Sequence, residues 1–221
     1  MTQIKICGIT SKEDALCAAD CGADALGFIF YEPSPRYIAL ADALKIIKIL
    51  PAHIAVVGVF VNAAAQNIKQ ISGLCGLDFI QLHGDESIEY CSAFAPETII
   101  KAIHLRSEDD VLNAFRYDAA AILVDSRDAG LYGGTGKTAN WDLALRIKSR
   151  KPLILSGGLN EDNVGEALER VAPAALDINS GVEMKPGKKD HRKLVKIFDV
   201  IRQADKERRK MELIFTKREK L

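Results

Sequence analysis

"PLILSGGLNEDNVGEALERVAPAALDINSG" (residues 152 to 181) contains, in order, a strand, a glycine turn, a helix and a second strand. "PLILS" (152 to 156) and "AALDINS" (174 to 180) are short apolar runs of the length a strand needs. Between them, "NEDNVGEALERV" places Val164, Ala167, Leu168 and Val171 at three- and four-residue steps, which puts them on one helical face, with Asn160 available as a cap. The same unit recurs outward in both directions. Strand patterns fall at "QIKICGI" (3 to 9), "DALGFIF" (24 to 30), "IAVVGVF" (54 to 60), "DFIQLH" (78 to 83), "TIIKAI" (98 to 103) and "AAILVD" (120 to 125). Helical patterns such as "SKEDALCAADCGA", "LADALKIIKIL" and "ANWDLALRIKSR" separate them, with Ser11 and Asn140 as further caps. Eight strand–helix units in one chain predict an α/β fold, a closed (β/α)8 TIM barrel, in preference to an open doubly wound sheet. No Gly/Ser- or Pro-rich linker breaks the series. The reading is therefore one barrel domain over residues 1–203, followed by a charged stretch (204–221) that is a tail or an extension of the last helix.

The 221 residues carry 30 basic and 30 acidic side chains, so no net field draws the chain to nucleic acid or an anionic membrane, and a small-molecule partner is expected. The most apolar stretch, "IIKILPAHIAVVGVFV", is broken by Lys48, Pro51 and His53 and is not a membrane span. Five cysteines without a CxxC pair argue against a disulfide framework or structural zinc. A start of "MTQIKICGIT" is unlike a secretory signal, and a reducing cytoplasm is expected. Four scattered histidines lack the HxH and HExxH spacings, so no metal is predicted.

Barrels of this kind place their chemistry at the C-terminal ends of the strands. Alternation along the first strand turns Lys5 and Cys7 into the barrel while Ile4 and Ile6 face the helices. Cys7 is either a small core residue or a general base, and a neighbouring Lys5 ammonium would lower its pKa from roughly 8.5 toward neutrality. Alternation on strand eight turns Asp177 and Asn179 inward, next to strand one, which predicts a buried Lys5–Asp177 pair. Asp125 ends strand six, as an ordinary turn residue or as the acid partner of Cys7. Gln81 and His83, two apart, share a face at the mouth. Arg36, in the proline-stiffened "EPSPRYI", is a solvated surface arginine or a bidentate grip for a carboxylate. Gly157, Gly158, Ser180 and Gly181 follow strands seven and eight, where barrel enzymes bind phosphate through backbone N–H groups.

"DAGLYGGTGKT" (128 to 138) looks like a nucleotide-binding P-loop, but the glycine its spacing requires would stand at position 131, which is Leu131. The stretch follows strand six and reads better as a lid, or as an ordinary loop.

In order along the chain, "KICGIT", "SPRY", "FVN", "QLHG", "LVD", "YGGTGKT", "GGLN", "SGVE" and "PGKKD" together resemble the phosphoribosylanthranilate isomerase family. The resemblance implies an Amadori rearrangement of N-(5-phosphoribosyl)anthranilate in tryptophan biosynthesis, without cofactor or metal, in a monomer or homodimer. It also implies roles: Asp125 as acid, Cys7 as base, Arg36 on the anthranilate carboxylate, and Gln81, His83 and Gly134 with the glycine loops as substrate-binding residues. The chain departs from the family at Asn179, Ser156 and Ala139-Asn140. Rival readings are another sugar-phosphate aldose–ketose isomerase, a nucleotide-binding protein, and a barrel kept as a scaffold through its tail.

Overall fold

The computed structural model describes residues 1–125 and 141–206, so Asn140, Gly134 with the lid reading, and most of the 204–221 stretch lie outside the described residues. Eight strands alternate with helices: β1 (Gln3–Cys7), α1 (Lys12–Cys21), β2 (Ala25–Ile29), α2 (Leu40–Ile47), β3 (Ala55–Phe60), α3 (Ala65–Cys75), β4 (Phe79–Leu82) and α4 (Ile88–Cys91). The series continues with β5 (Ile99–His104), α5 (Glu108–Ala114), β6 (Ala121–Asp125), α6 (Trp141–Lys148), β7 (Leu153–Leu155), α7 (Val164–Val171) and β8 (Ala175–Ile178). A hairpin of β9 (Glu183–Lys185) and β10 (Lys188–Lys189) then leads to α8 (His191–Asp205). The strands run parallel in chain order and close into a ring where β8 pairs with β1, Lys5 lying opposite Asp177.

Each strand is buried on both sides because it has a barrel face and a helix face. Ile4, Ile6, Leu26, Phe28, Ile122, Val124, Leu153 and Leu155 face outward into the core shared with the helices. Ala25, Val57, Phe79, Ile100, Leu123 and Ile154 fill the barrel interior with small and large side chains in layers. Val164, Ala167, Leu168 and Val171 are buried, which is the face that the 3.6-residue period requires. Near the chain ends, Asp205 of α8 accepts hydrogen bonds from the backbone N–H (2.5 Å) and Oγ1 (2.8 Å) of Thr2, tying the last helix to the foot of β1.

Local chemistry explains the boundaries. Ser11 caps α1 by accepting from the Asp14 N–H, and Gly22 ends it in the left-handed region. Asn160 does not cap α7 as expected. Its side chain accepts from the Asp162 N–H (2.9 Å) and so organises a preceding turn, while the helix proper begins after Asn163. Cys75 and Cys91 are buried as small apolar residues, whereas Cys17 and Cys21 are only half-buried.

Candidate active site

At the C-terminal ends of the strands the interior layer changes from apolar to polar, and the ring opens into a cavity lined in part by Cys7, Arg36, Gln81, His83, Asp125 and Asp177. Ile29, Tyr31 and Val59 give it an apolar wall around Cys7. Alternation brings all the strand residues here, because each is inward-facing on its own strand. Arg36 arrives from the β2–α2 loop, which folds back so that Tyr37 bridges to Ile29. The glycines chosen for phosphate binding do not line this cavity. They flank Ser156 and Asn179, which do. Gly157 and Gly158 have φ of 89° and 64°, and Gly181 packs so close to the neighbouring loop that a Cβ would stand 1.9 Å from the Leu159 carbonyl oxygen. The two loops therefore form one surface beside the mouth.

The floor below Cys7 is a buried ion pair. Lys5 Nζ lies 2.7 Å from Asp177 Oδ1, with side-chain exposures of 0% and 4%. Ser156 Oγ reaches the other Asp177 oxygen at 3.5 Å. Burial disfavours the Lys5 ammonium, but Asp177, and then Cys7, outweigh it and hold its pKa above the ordinary lysine value. For Cys7 the outcome corrects the sequence expectation. Burial pushes the thiol above its ordinary value, and Lys5, which pulls downward, does not offset that because Asp177 sits on the same ammonium and itself opposes a thiolate. Room for both side chains comes from Gly27 on β2. A Cβ there would lie 2.9 Å from Cys7 Sγ and 3.0 Å from Lys5 Nζ.

On the opposite wall Gln81 Nε2 is 2.7 Å from His83 Nδ1, and His83 Nε2 is 3.3 Å from Asp125 Oδ2. An amide N–H donating to Nδ1 leaves the imidazole proton on Nε2, facing the Asp125 carboxyl. The arrangement gives a carboxyl and a thiol on facing walls of one cavity, the pair of chemical types suited to donate a proton at one atom and remove one at another.

Arg36 is not a solvated surface residue. Its Nε donates to Glu183 Oε1 (2.9 Å) and Oε2 (3.1 Å), and its Nη2 donates to Oε2 (2.7 Å). Lys189 Nζ, fully buried, donates to Glu183 Oε1 at 3.1 Å and to Asn179 Oδ1 at 3.0 Å. Burial works against the Glu183 carboxylate, yet the hydrogen bonds from Arg36 and the charge of Lys189 hold its pKa below the ordinary value. Burial dominates for Lys189 and lowers its pKa despite Glu183. Sequence reading missed Glu183, Lys189 and Gly27. The first two stood in "SGVE" and "PGKKD" without a role, and the Pro186-Gly187 turn was the available sign that the chain doubles back there. Among the described residues no group of His, Cys, Asp and Glu side chains is arranged to hold a metal ion.

Residues 4–200 match the family model described as N-(5'-phosphoribosyl)anthranilate (PRA) isomerase. The N-(5'-phosphoribosyl)anthranilate isomerase of Syntrophus aciditrophicus is 49% identical over 218 residues, covering 96% of this chain and 95% of that one. The crystal structure of phosphoribosyl anthranilate isomerase from Thermotoga maritima superposes with a TM-score of 0.86 at 43% identity, over 92% of this chain and all of that one. A phosphoribosyl anthranilate isomerase in complex with reduced 1-(o-carboxyphenylamino)-1-deoxyribulose 5-phosphate gives a TM-score of 0.82 at 41% identity, over the same shares.

Proposed function

The chain belongs to the N-(5'-phosphoribosyl)anthranilate isomerase family, and we propose that Asp125 and Cys7 are the acid and base of its reaction. The protein converts N-(5'-phosphoribosyl)anthranilate into 1-(2-carboxyphenylamino)-1-deoxyribulose 5-phosphate, a step of tryptophan biosynthesis. The observation that carries the residue assignment is the sharing of one cavity by a buried carboxyl and a buried thiol, with Arg36 at its rim.

The reaction needs only proton transfers. Asp125 gives a proton to the furanose ring oxygen; the C1–O bond breaks as the nitrogen lone pair forms C=N, leaving an open-chain iminium. Cys7, as thiolate, takes the proton from C2. That electron pair becomes the C1–C2 double bond and neutralises the nitrogen. The resulting enolamine tautomerises to the C2 ketone by losing the C2 hydroxyl proton and gaining one at C1. A thiol held above its ordinary value is a scarce but strong base, and the iminium charge formed in the first step favours its ionisation when it is needed. His83 and Gln81 orient the Asp125 carboxyl and face the sugar. Arg36 grips the anthranilate carboxylate. The loops carrying Gly157, Gly158, Ser180 and Gly181 receive the phosphate.

The protein works without cofactor, as a monomer or homodimer, and sedimentation distinguishes the two. We place it in the cytoplasm, on the strength of five free cysteines. Among the described residues no helix is long and apolar enough to cross a membrane. The test is turnover of freshly prepared phosphoribosylanthranilate, followed by loss of its fluorescence. Cys7→Ala and Asp125→Asn should each lose roughly two or more decades in kcat. An unimpaired variant removes that residue's role.

A further inference from the structure

We infer that Glu183 is a positioning residue that makes the active site selective for a carboxylate-bearing substrate, acting through Arg36. This rests on the reading that Arg36 meets the substrate carboxylate. A guanidinium has five N–H groups along two usable edges. Glu183 occupies the side edge, taking Nε and one N–H of Nη2. The end fork, made by Nη1 and the second N–H of Nη2, makes no hydrogen bond to the described residues, and the Arg36 side chain lining the cavity is 10% exposed. Held on one edge, the guanidinium cannot swing, and its planar fork has one direction left in which to meet a second carboxylate.

Two buried cations, Arg36 and Lys189, share one carboxylate, so the cluster carries one positive charge in excess. Glu183 is itself saturated: Oε1 accepts from Arg36 Nε, Lys189 Nζ and the Gly187 N–H (3.2 Å), and Oε2 from Arg36 Nη2. It has no capacity left to draw the fork inward. An incoming carboxylate neutralises the excess and completes the bonding of Arg36, whereas an uncharged ring leaves both unsatisfied on a side chain that is only 10% exposed. Unpaired buried donors of this kind are what make an active site reject the substrate that lacks the matching group. Lys189, itself held by Asn179 Oδ1, anchors the carboxylate from behind, so the hairpin of β9 and β10 sets the angle at which Arg36 addresses the cavity.

The experiment compares the affinity of two inert ligands, the reduced product analogue and the same molecule without its ring carboxyl, by calorimetry. The proteins are wild type, Arg36→Ala, Glu183→Gln and the double variant Glu183→Gln/Lys189→Gln. The double variant removes one charge of each sign, so it keeps the net charge and leaves no ammonium buried beside a missing partner. Wild type should prefer the carboxylated ligand by roughly tenfold to a hundredfold, the worth of a charged hydrogen-bonded fork. Arg36→Ala should abolish that preference, and Glu183→Gln and the double variant should reduce it to within a few-fold of Arg36→Ala while leaving affinity for the decarboxylated ligand nearly unchanged. If both Glu183 variants weaken the two ligands equally, Glu183 is structural only and the inference is overturned. If the double variant keeps the wild-type preference, the inference is overturned as well. If Arg36→Ala itself keeps the preference, the reading of Arg36 fails first and this one with it.

Discussion

Cys7 shows how little of a residue's chemistry lies in its own identity. Because burial raises its pKa, the thiol is neutral at pH 7, and the thiolate fraction grows with pH toward a midpoint above the ordinary value of 9.0. The difference in absorbance at 240 nm between wild type and Cys7→Ser should therefore titrate above pH 9, and not near neutrality as a lysine-activated thiol would. Gly27→Ala places a methyl 2.9 Å from Cys7 Sγ and 3.0 Å from Lys5 Nζ. Its kcat/KM should fall at least tenfold, with a loss of stability of about 1–3 kcal/mol by urea unfolding, since overpacking here forces the reactive side chains off their positions. The inward direction of Lys5, Cys7 and Asp177 was legible from alternation alone, and so was the Lys5–Asp177 pair. The ionisation of Cys7 was not, because it depends on where the Lys5 charge is spent, and that is decided by a residue 172 positions away.

All eight strands were legible to within two residues at either end, because a run of apolar residues buried on both faces leaves few alternatives once helical periods lie on either side. The start of α7 was misread because an asparagine that organises a turn and one that caps a helix look the same in sequence. The hairpin of β9 and β10 was not foreseen either, since strands of three and two residues carry no periodicity. The loops after β7 and β8 are one construction, joined where Gly181 meets the Leu159 carbonyl. Gly181→Ala must push those loops apart. The expected result is a rise in KM for phosphoribosylanthranilate of roughly tenfold or more with a smaller change in kcat, and a matching loss of competitive inhibition by inorganic phosphate. An unchanged phosphate inhibition constant would separate these loops from phosphate binding.

At the scale of the whole molecule, two long-range contacts are ones that no local pattern announces. Arg36 finds Glu183 across 147 positions, and Thr2 finds Asp205 across 203. Closure predicts that α8 is tied to the barrel by chemistry as well as by its apolar face. Asp205→Ala should cost about 1–3 kcal/mol in urea unfolding by leaving the Thr2 donors short of an acceptor, while kcat stays within twofold because the cavity lies at the other end of the strands. The pairing of β1 with β8 has a further consequence during synthesis. Lys5 and Cys7 are made well before Asp177, Glu183 and Lys189, the first of which lies 172 positions beyond Lys5. Through most of translation the Cys7 thiol sits near Lys5 without the Asp177 carboxylate that the eighth strand brings. Its working environment is created in one event, when the eighth strand arrives, so a nascent or truncated chain is chemically silent and the appearance of activity marks the moment the ring shuts.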